Sequence, residues 1–256
     1  MQLIDTHTHI FLPEFDSDRD DVVRRAVEHN VIKMLMPNID TDSFDKMMAC
    51  EKRYGNICFS MIGLHPTSVK ADYMEQLEFM ADKATAGKFV AIGEIGIDLY
   101  WDKAFKNEQI IVFKKQIELG LRLDLPVVIH SRESFPEVFD ALREFEGSKI
   151  RGVLHAYTGD IHYAEKAILM GFKLGIGGIL TFKNSGLDKI VREVGLENII
   201  LETDSPYLAP APFRGKRNES SYVELINKKV AEIFSVDPEA SASIIYANSV
   251  ELFKLT

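Results

Sequence analysis

The chain is poor in cysteine and has no long hydrophobic run. Its two cysteines, Cys50 and Cys58, form no C-x-x-C pair, so we expect two reduced, mostly buried thiols. No apolar run reaches the roughly 18 residues that a membrane span needs, which excludes a transmembrane helix. The first residues carry no basic stretch followed by an apolar one, so no signal peptide is expected. These absences predict a cytoplasmic protein without a membrane partner.

Positive charge is also in deficit. The sequence has 30 lysines and arginines against 39 aspartates and glutamates, and its formal net charge is −9 at pH 7. An acidic protein of this kind is not a broad electrostatic surface for nucleic acid. A nucleic-acid substrate would therefore have to be bound locally, by a basic rim or by metal ions.

Short apolar runs recur along the whole chain. Apolar residues make up 46% of the 256 residues, which is enough for a sizeable core. The runs alternate with amphipathic segments of helical period, such as 16–29 and 107–123. This alternation of strands and helices predicts a parallel sheet of the α/β class. The eight candidate strands are 3–7, 32–36, 58–64, 89–97, 126–130, 152–155, 172–176 and 199–203.

The number of repeats indicates how the sheet is arranged. Eight strand-helix repeats within about 205 residues predict closure into a (β/α)8 TIM barrel rather than an open sheet. The tail from about residue 222 is predicted to add two C-terminal helices, the second after Asp237-Pro238. No linker, low-complexity segment or sequence repeat divides the chain. We therefore expect residues 1–256 to form a single barrel domain.

Imidazoles and carboxylates are concentrated at the ends of the predicted strands. Five of the seven histidines and two acidic residues lie there: His7, His9, His65, His130, His155, Glu94 and Asp204. The loops after the strands form the active site in such barrels. Because His7 and His9 are two residues apart on one strand, both rings can bind one ion. A single histidine at a strand end is more often structural, but the joint pattern predicts a metal site.

Six motifs in the sequence resemble one known family. They are H-T-H at 7–9, G-L-H-P at 63–66, G-E-I-G-I-D at 93–98, H-S-R at 130–132, Y-T-G at 157–159 and E-T-D-S-P at 202–206. Together they resemble the TatD family of metal-dependent deoxyribonucleases, which belongs to the amidohydrolase-like barrels. The resemblance extends to Arg217-Asn218-Glu219. Two departures are Ser220, where the family often has proline, and Ala156, where it commonly has cysteine.

The resemblance implies a metal-dependent hydrolase with two divalent cations per chain. The implied ligands are His7, His9 and Asp204 for one ion, His130 and His155 for the other, and Glu94 as a bridge. Two cations about 3.5–4 Å apart can generate hydroxide near neutral pH and stabilise the attacking and leaving oxygens. The resemblance also supports Asp204 as the general base, so Asp204 and Glu94 are the candidate catalytic residues.

The identity of the metal stays open between zinc, magnesium and manganese. Four imidazoles favour zinc, manganese, iron or nickel over magnesium, which prefers oxygen ligands. Members of the resembled family are nevertheless often described as magnesium-dependent. The sequence therefore predicts divalent cations without selecting one of them.

Substrate contacts are expected close to the metals. Arg132 lies two residues beyond His130, and Lys183 follows a glycine-rich stretch after the seventh strand, where these barrels often bind phosphate. Arginine suits bidentate contact with phosphate. The candidate substrate-binding residues are His65, Arg132, Tyr157, Lys183, Arg214 and Arg217. The alternatives are a structural role for His65 and a solvated surface position for each of the lysine and arginine side chains.

Three further residues have two open interpretations each. Tyr100 and Trp101 follow the fourth strand, where their rings could stack on bases or could pack as core or lid. Glu202 shares strand parity with Asp204. It is either a partner of a metal-binding histidine or a buried structural carboxylate.

The predicted function is cleavage of phosphodiester bonds in DNA, as a deoxyribonuclease or exonuclease, by hydroxide held between two cations. Single-stranded DNA or 3′ ends are the expected substrate, and a monomer or weak oligomer is the expected state. The alternative is hydrolysis of a small-molecule ester, lactone or amide on the same barrel, which the net charge mildly favours. A third class, a metal-binding protein without catalysis, is opposed by the complete set of ligands.

Overall fold

The computed structural model describes residues 1–255, in which eight parallel strands are all found near their predicted positions. The strands are β1 (Leu3–Asp5), β2 (Val31–Pro37), β3 (Cys58–Met61), β4 (Ile92–Asp98), β5 (Val127–Arg132), β6 (Gly152–Leu154), β7 (Phe172–Ile176) and β8 (Ile199–Leu201). Strands β1, β3, β6 and β8 end one to three residues earlier than predicted. The residues that follow them leave the ladder and turn toward the carboxyl end of the barrel.

Nine α-helices accompany the strands within residues 1–255. They are α1 (Arg19–Glu28), α2 (Thr41–Arg53), α3 (Tyr73–Ala86), α4 (Lys106–Leu123), α5 (Phe135–Leu142), α6 (Ile161–Leu169), α7 (Leu187–Val194), α8 (Val223–Phe234) and α9 (Pro238–Phe253). Helices α1 to α7 each connect consecutive strands. Of the two helices predicted for the tail, α8 packs beside α7 as the eighth barrel helix, and only α9 is additional. In the described part of the chain, no helix is both long and apolar enough to cross a membrane.

Side-chain caps fix where several helices begin. At the start of α2 the Asp40 carboxylate accepts the Ser43 N–H at 2.8 Å, and the Ser43 hydroxyl accepts the Asp40 N–H at 3.0 Å. This reciprocal pair satisfies two backbone donors that no helical carbonyl can reach. Asp237 caps α9, and Pro238 at the first helical position has no N–H to leave unpaired.

The barrel consists of two ladders joined at two seams. Strands β1 to β3 form one ladder and β4 to β8 form the other, and each strand pairs with its sequence neighbour. Single bridges close the seams, one between Ile62 and Ile92 and one between Thr8 and Ser205. At the second seam the Asp204 N–H donates to the His7 carbonyl at 2.9 Å. Barrel closure therefore brings a residue that follows β8 directly beside a residue that follows β1.

A buried carboxylate strengthens the seam between β1 and β8. Asp5 accepts hydrogen bonds from the Thr203 N–H at 2.9 Å and from the Thr203 hydroxyl at 2.6 Å. Burial raises the pKa of Asp5 to about 7. The bond network holds the backbone on both sides of the seam in register, just below the residues that form the candidate site.

The interior of the barrel is filled by an apolar layer on the amino-terminal side. Its members come from seven strands or the residue just before them: Ile4, Leu35, Met61, Ala91, Val128, Val153 and Ile200. Leu252, Phe253 and Leu255, at the end of α9 and just after it, pack against this layer. A layer with one residue from each of seven strands must face the barrel axis. Helix α9 therefore seals the floor of the barrel and leaves the carboxyl end for the site.

Candidate metal centre

The six predicted metal ligands converge at the carboxyl end of the barrel. They come from five strands or from the residues just after them: His7 and His9 from β1, Glu94 from β4, His130 from β5, His155 from β6 and Asp204 from β8. None of these side chains is more than 17% exposed. The structure thus gathers the residues that the sequence analysis singled out at strand ends.

The first group of donor atoms contains two imidazoles and one carboxylate oxygen. His7 Nε2 lies 3.1 Å from Glu94 Oε2 and 3.3 Å from His9 Nε2. His9 Nε2 lies 3.7 Å from the same glutamate oxygen. Two donors that each lie about 2.1 Å from one cation are separated by about 3.0–3.4 Å at octahedral to tetrahedral angles. The spacing of the group is therefore close to that of ligands around a single ion.

Asp204 borders this group and links it to the third imidazole. Its Oδ1 atom lies 3.5 Å from His9 Nε2 and 3.8 Å from His7 Nε2. The same oxygen lies 3.7 Å from His155 Nε2. The rings of His7 and His155 are stacked, with centroids 3.4 Å apart. One aspartate oxygen thus faces three imidazole nitrogens.

The second group forms around the other oxygen of Glu94. Glu94 Oε1 lies 2.9 Å from His130 Nδ1 and 3.5 Å from His65 Nε2. His155 Nε2 is farther from this oxygen, at 3.9 Å. The grouping differs from the one that the resemblance implied. His65, expected to contact substrate, joins His130, and His155 lies closer to Asp204.

The imidazoles hold both carboxylates of the centre in the ionised form. Burial raises the pKa of Glu94, but the fields of His65, His7 and His155 outweigh it and hold the pKa well below its usual range. Burial likewise raises the pKa of Asp204, and the neighbouring histidines outweigh that effect and lower it. Both side chains therefore carry negative charge at largely buried positions, where a cation is strongly stabilised.

The carboxylates act on the imidazoles in turn. Burial lowers the pKa of His155, but Glu202, Glu94 and Asp204 outweigh it and raise the pKa to about 10. Burial also lowers the pKa of His130, whereas hydrogen bonds with Asp98 and Glu94 raise it to about 9. His7 differs, because burial and the field of His155 together lower its pKa. The site as a whole favours positive charge.

The donor set fits divalent cations. The Nε2 atoms of His7 and His9 face each other and two carboxylate oxygens, so N–H groups on both would oppose each other. The buried Nδ1 atoms of these two rings have no hydrogen-bond partner within residues 1–255. A cation in contact with lone pairs on both Nε2 atoms removes the first conflict. Imidazole nitrogen and carboxylate oxygen are also the ligands that zinc and related ions prefer in proteins.

Two further acids each lie beside the imidazole nitrogen that points away from the centre. Asp98 Oδ2 lies 2.9 Å from His130 Nε2. Glu202 Oε1 lies 2.9 Å from His155 Nδ1, off the axis of a hydrogen bond, and also accepts the Ala156 N–H. Such acids orient metal-binding rings. Glu202 was one of two interpretations of the sequence, whereas Asp98 was not predicted, although it shares strand parity with Glu94.

Two glycines allow these elements to approach each other. Gly96 pairs with His130 across β4 and β5, and a Cβ at Gly96 would lie 2.0 Å from the His130 carbonyl oxygen. Its φ of +142° also requires glycine. A Cβ at Gly175 would lie 2.2 Å from Glu202 Oε2. The geometry of the centre therefore requires glycine at these two positions, because a larger residue would clash with its neighbours.

A cavity of about 660 Å³ opens over the metal centre. Its inner wall contains His9, His65, Glu94, His130, His155 and Asp204. Trp101, Arg132, Tyr207 and Leu208 line it farther out. In residues 1–255, Arg132 is the one lysine or arginine in the lining. The volume is in the range of small-ligand sites.

The structure separates the predicted substrate contacts into two sets. His65 and Arg132 line the cavity. Lys183 is exposed and lies outside the lining, as does Arg214, whose guanidinium stacks 4.5 Å from the centroid of Phe182. The basic side chains of the loops after β7 and β8 therefore do not line the cavity at the candidate metal centre.

The structure also corrects the expected positions of Tyr157 and Arg217. The Tyr157 ring is buried in the core, and its hydroxyl donates to the Asp160 carbonyl. Arg217 makes a bidentate pair with Asp18 at 2.6 and 2.8 Å and donates to the Glu14 carbonyl. Both side chains are engaged by the protein itself. The partners of Arg217 are about 200 residues away along the chain, so no local sequence pattern could show them.

This barrel, with imidazoles and carboxylates gathered at the carboxyl ends of its strands, defines the class of metal-dependent barrel hydrolases. Within that class, the chain belongs to the family of TatD related DNases, whose model matches residues 4–254. The family that the six motifs indicated is thereby confirmed.

Known relatives match the chain from end to end. The uncharacterized metal-dependent hydrolase YabD of Bacillus subtilis (strain 168) is 35% identical over 99% of each chain. The uncharacterized metal-dependent hydrolase YcfH of Escherichia coli (strain K12) is 32% identical, over 100% of this chain and 97% of YcfH. Among solved structures, the TatD homologue YjjV of Escherichia coli K12 has a TM-score of 0.90 at 28% identity, over 99% of this chain and 98% of that one. The predicted (β/α)8 fold is confirmed.

Proposed function

We propose that the protein is a deoxyribonuclease that hydrolyses phosphodiester bonds at single strands or 3′ ends, with two divalent cations at the candidate metal centre. One observation carries the proposal. Glu94 turns Oε2 toward His7, at 3.1 Å, and Oε1 toward His130, at 2.9 Å. A carboxylate with each oxygen facing a different group of imidazoles suits a bridge between two cations.

The choice of DNA as substrate rests on the family and on the cavity. The family model is described as TatD related DNase, whereas the curated relatives are named only as metal-dependent hydrolases. A phosphodiester is an anion, and the acidic chain offers it Arg132 beside the metal centre. Arginine presents a planar pair of N–H groups that match two phosphate oxygens.

The two central carboxylates would have different roles. Divalent cations, when bound, would stabilise the charge that develops on the attacking and leaving oxygens. Asp204 is 17% exposed, against 3% for Glu94, so Asp204 meets the water that enters the cavity. We therefore assign to Asp204 Oδ1 the acceptance of the proton from the attacking water. Glu94 stays buried between the two groups of imidazoles.

The test is cleavage of end-labelled single-stranded DNA by protein that has been stripped with a chelator and reloaded with zinc, manganese or magnesium. We expect no cleavage without metal and restored cleavage with at least one of the three. Asp204→Asn is expected to lower kcat by about 100-fold or more, because it removes the proton acceptor. Labels at the 5′ and 3′ ends show the direction of digestion.

Asp188→Asn serves as the matched control, since Asp188 is an exposed aspartate of α7 that lines a different cavity. Metal content is measured for every variant, so that loss of an ion is distinguished from loss of the base. Hydrolysis of a lactone or a simple ester without any cleavage of DNA would show that DNA is not the substrate. Cleavage of DNA at an undiminished rate after metal removal would contradict the proposal that hydrolysis depends on divalent cations.

A further inference from the structure

Three aromatic side chains are exposed in the loops around the mouth of the cavity. Ten large apolar side chains are exposed in residues 1–255, and four of them, Tyr100, Trp101, Tyr207 and Leu208, lie in the loops around this mouth. Trp101 is 69% exposed and Tyr100 is 49% exposed. Clustered exposed rings beside a cavity are typical of a ligand-binding surface. Of the alternatives to base stacking, core packing is excluded by this exposure, and a lid over the cavity stays an alternative.

Arg132 joins the two rings that follow β4. Its guanidinium carbon lies 3.8 Å from the centroid of Tyr100 and 5.2 Å from that of Trp101. The rings themselves meet edge to face, with centroids 4.9 Å apart. The Arg132 side chain is exposed, and stacking on the rings leaves the edge of its guanidinium able to donate hydrogen bonds.

The cluster is held close to the metal centre. Asp98 Oδ1 accepts the N–H groups of Tyr100 and Trp101 at 3.0 and 3.3 Å, while its Oδ2 contacts His130. The Leu99 N–H donates to the Arg132 carbonyl at 2.9 Å, so the loop is also tied to β5. The surface formed by the aromatic pair is therefore positioned by the same acid that contacts a candidate metal ligand.

We propose that Tyr100, Trp101 and Arg132 form a stacking platform for an unpaired nucleobase next to the phosphodiester bond that is cleaved. This inference rests on the proposed function and names the part of the substrate that is recognised. A base offers a flat π face to the rings, and its phosphate offers oxygens to the guanidinium edge. In a duplex both faces of a base are covered by its neighbours, so the platform selects single strands and frayed ends.

The chain allows a direct test, because Trp101 is its single tryptophan. We compare binding of dAMP and of 2-deoxyribose 5-phosphate to the metal-loaded protein by tryptophan fluorescence and calorimetry. The two probes share the deoxyribose and the phosphate, the second has a hydroxyl at C1 in place of the base, and neither contains a phosphodiester bond. We expect dAMP to quench the fluorescence and to bind at least about fivefold more tightly.

Variants assign the preference to the platform. Tyr100→Ala and Trp101→Ala are each expected to reduce the advantage of dAMP by about fivefold or more and to leave binding of 2-deoxyribose 5-phosphate unchanged. Both side chains are largely exposed, so the variants should fold, which metal content and Tm verify. Arg132→Lys should weaken both probes, because lysine keeps the charge but loses the planar pair of donors.

Two control variants leave the cavity untouched. Arg53 stacks 5.5 Å from the ring of Tyr54 outside the cavity, so Arg53→Ala removes a similar pair without an effect on binding. Leu169→Ala trims an exposed apolar side chain of α6, again without an effect.

The result decides between the two proposals. Equal affinity for the two probes, with unchanged fluorescence at saturation, would overturn the platform even if DNA is cleaved. A base-dependent preference that disappears in Trp101→Ala supports the platform even if no DNA is cleaved, in which case only the proposed nuclease reaction fails.

Discussion

Asp98 and Glu202 show how single residues affect the geometry of the candidate metal centre. Neither acid lies in the groups of donors that meet around Glu94, but each contacts the far nitrogen of one imidazole. A ring held from behind presents its other nitrogen to the centre in one orientation. For His130 that nitrogen is Nδ1, because Nε2 is occupied by Asp98. The orientation of the ligands therefore depends on residues that need not touch a metal.

At this scale we predict that Asp98→Asn weakens metal binding by about 10- to 100-fold, since an amide orients the His130 ring less strongly than a carboxylate. Competition with a chelator of known affinity measures the change. Asp102→Asn is the matched control, because Asp102 is an exposed aspartate of the same loop. Equal metal affinity in Asp98→Asn and the unmodified protein would show that His130 does not need this partner.

Ion pairs between elements explain why Arg217, predicted to bind substrate, does not line the cavity. Arg217, in the loop after β8, pairs with Asp18 at the start of α1, and its guanidinium lies 4.7 Å from the centroid of Phe15. Arg25 of α1 pairs with Glu219 of the same loop at 2.6 Å. The loop is thus fastened to a helix that follows β1. Arg214, three residues away, has a ring contact with Phe182 instead.

At the scale of elements we predict that Arg217→Ala lowers the free energy of unfolding by about 1 kcal/mol, whereas Arg214→Ala changes it by less than about 0.5 kcal/mol. The pair is only partly buried, which keeps the effect small. Urea unfolding at pH 7 and constant metal measures both variants. An equal effect of the two substitutions would contradict this role of Arg217.

The pH dependence of this difference has a definite sign. The hydrogen bond from Arg217 lowers the pKa of Asp18 from its ordinary value of 3.8. A carboxylate with a lowered pKa in the folded state stabilises the protein above its ordinary pKa. That contribution is lost as the pH falls through the lowered value. The gap between Arg217→Ala and the unmodified protein should therefore shrink below about pH 4.

In the whole molecule, the residues that stabilise the barrel and the residues of the candidate site lie at opposite ends of the barrel axis. The apolar layer on the amino-terminal side is sealed by the end of α9, whereas the polar centre occupies the carboxyl end. Phe253 is 3% exposed within that seal, and Ile244 of the same helix is 43% exposed. Substitutions at the floor should therefore affect folding before they affect the site.

At this scale we predict that Phe253→Ala lowers the free energy of unfolding by about 3–5 kcal/mol, because it removes a large side chain from a closed core. Ile244→Ala, on the exposed face of α9, should cost less than about 0.5 kcal/mol. Denaturant unfolding with saturating metal measures both, since a bound ion adds the same stabilisation to each protein. Comparable losses for the two variants would mean that α9 does not seal the barrel.

Local patterns in the sequence predict the helices and strands and the types of residue at the strand ends. Strand and helix periods are local properties of side-chain direction, so all eight strands could be predicted from patterns of a few residues. The same patterns predicted His7, His9, Glu94, His130, His155 and Asp204 at strand ends, and the six motifs indicated the family.

Which of these groups lie together depends on the packing of the barrel and its loops. Barrel closure puts Asp204 beside His7, as the resemblance implied, whereas the path of the loops puts His65 with His130, Tyr157 in the core and Arg217 against Asp18. The contacts of Asp204, His65 and Arg217 each join segments that are distant along the chain. Such contacts depend on how the strands, helices and loops pack in three dimensions. The spacing of residues along the sequence does not specify them.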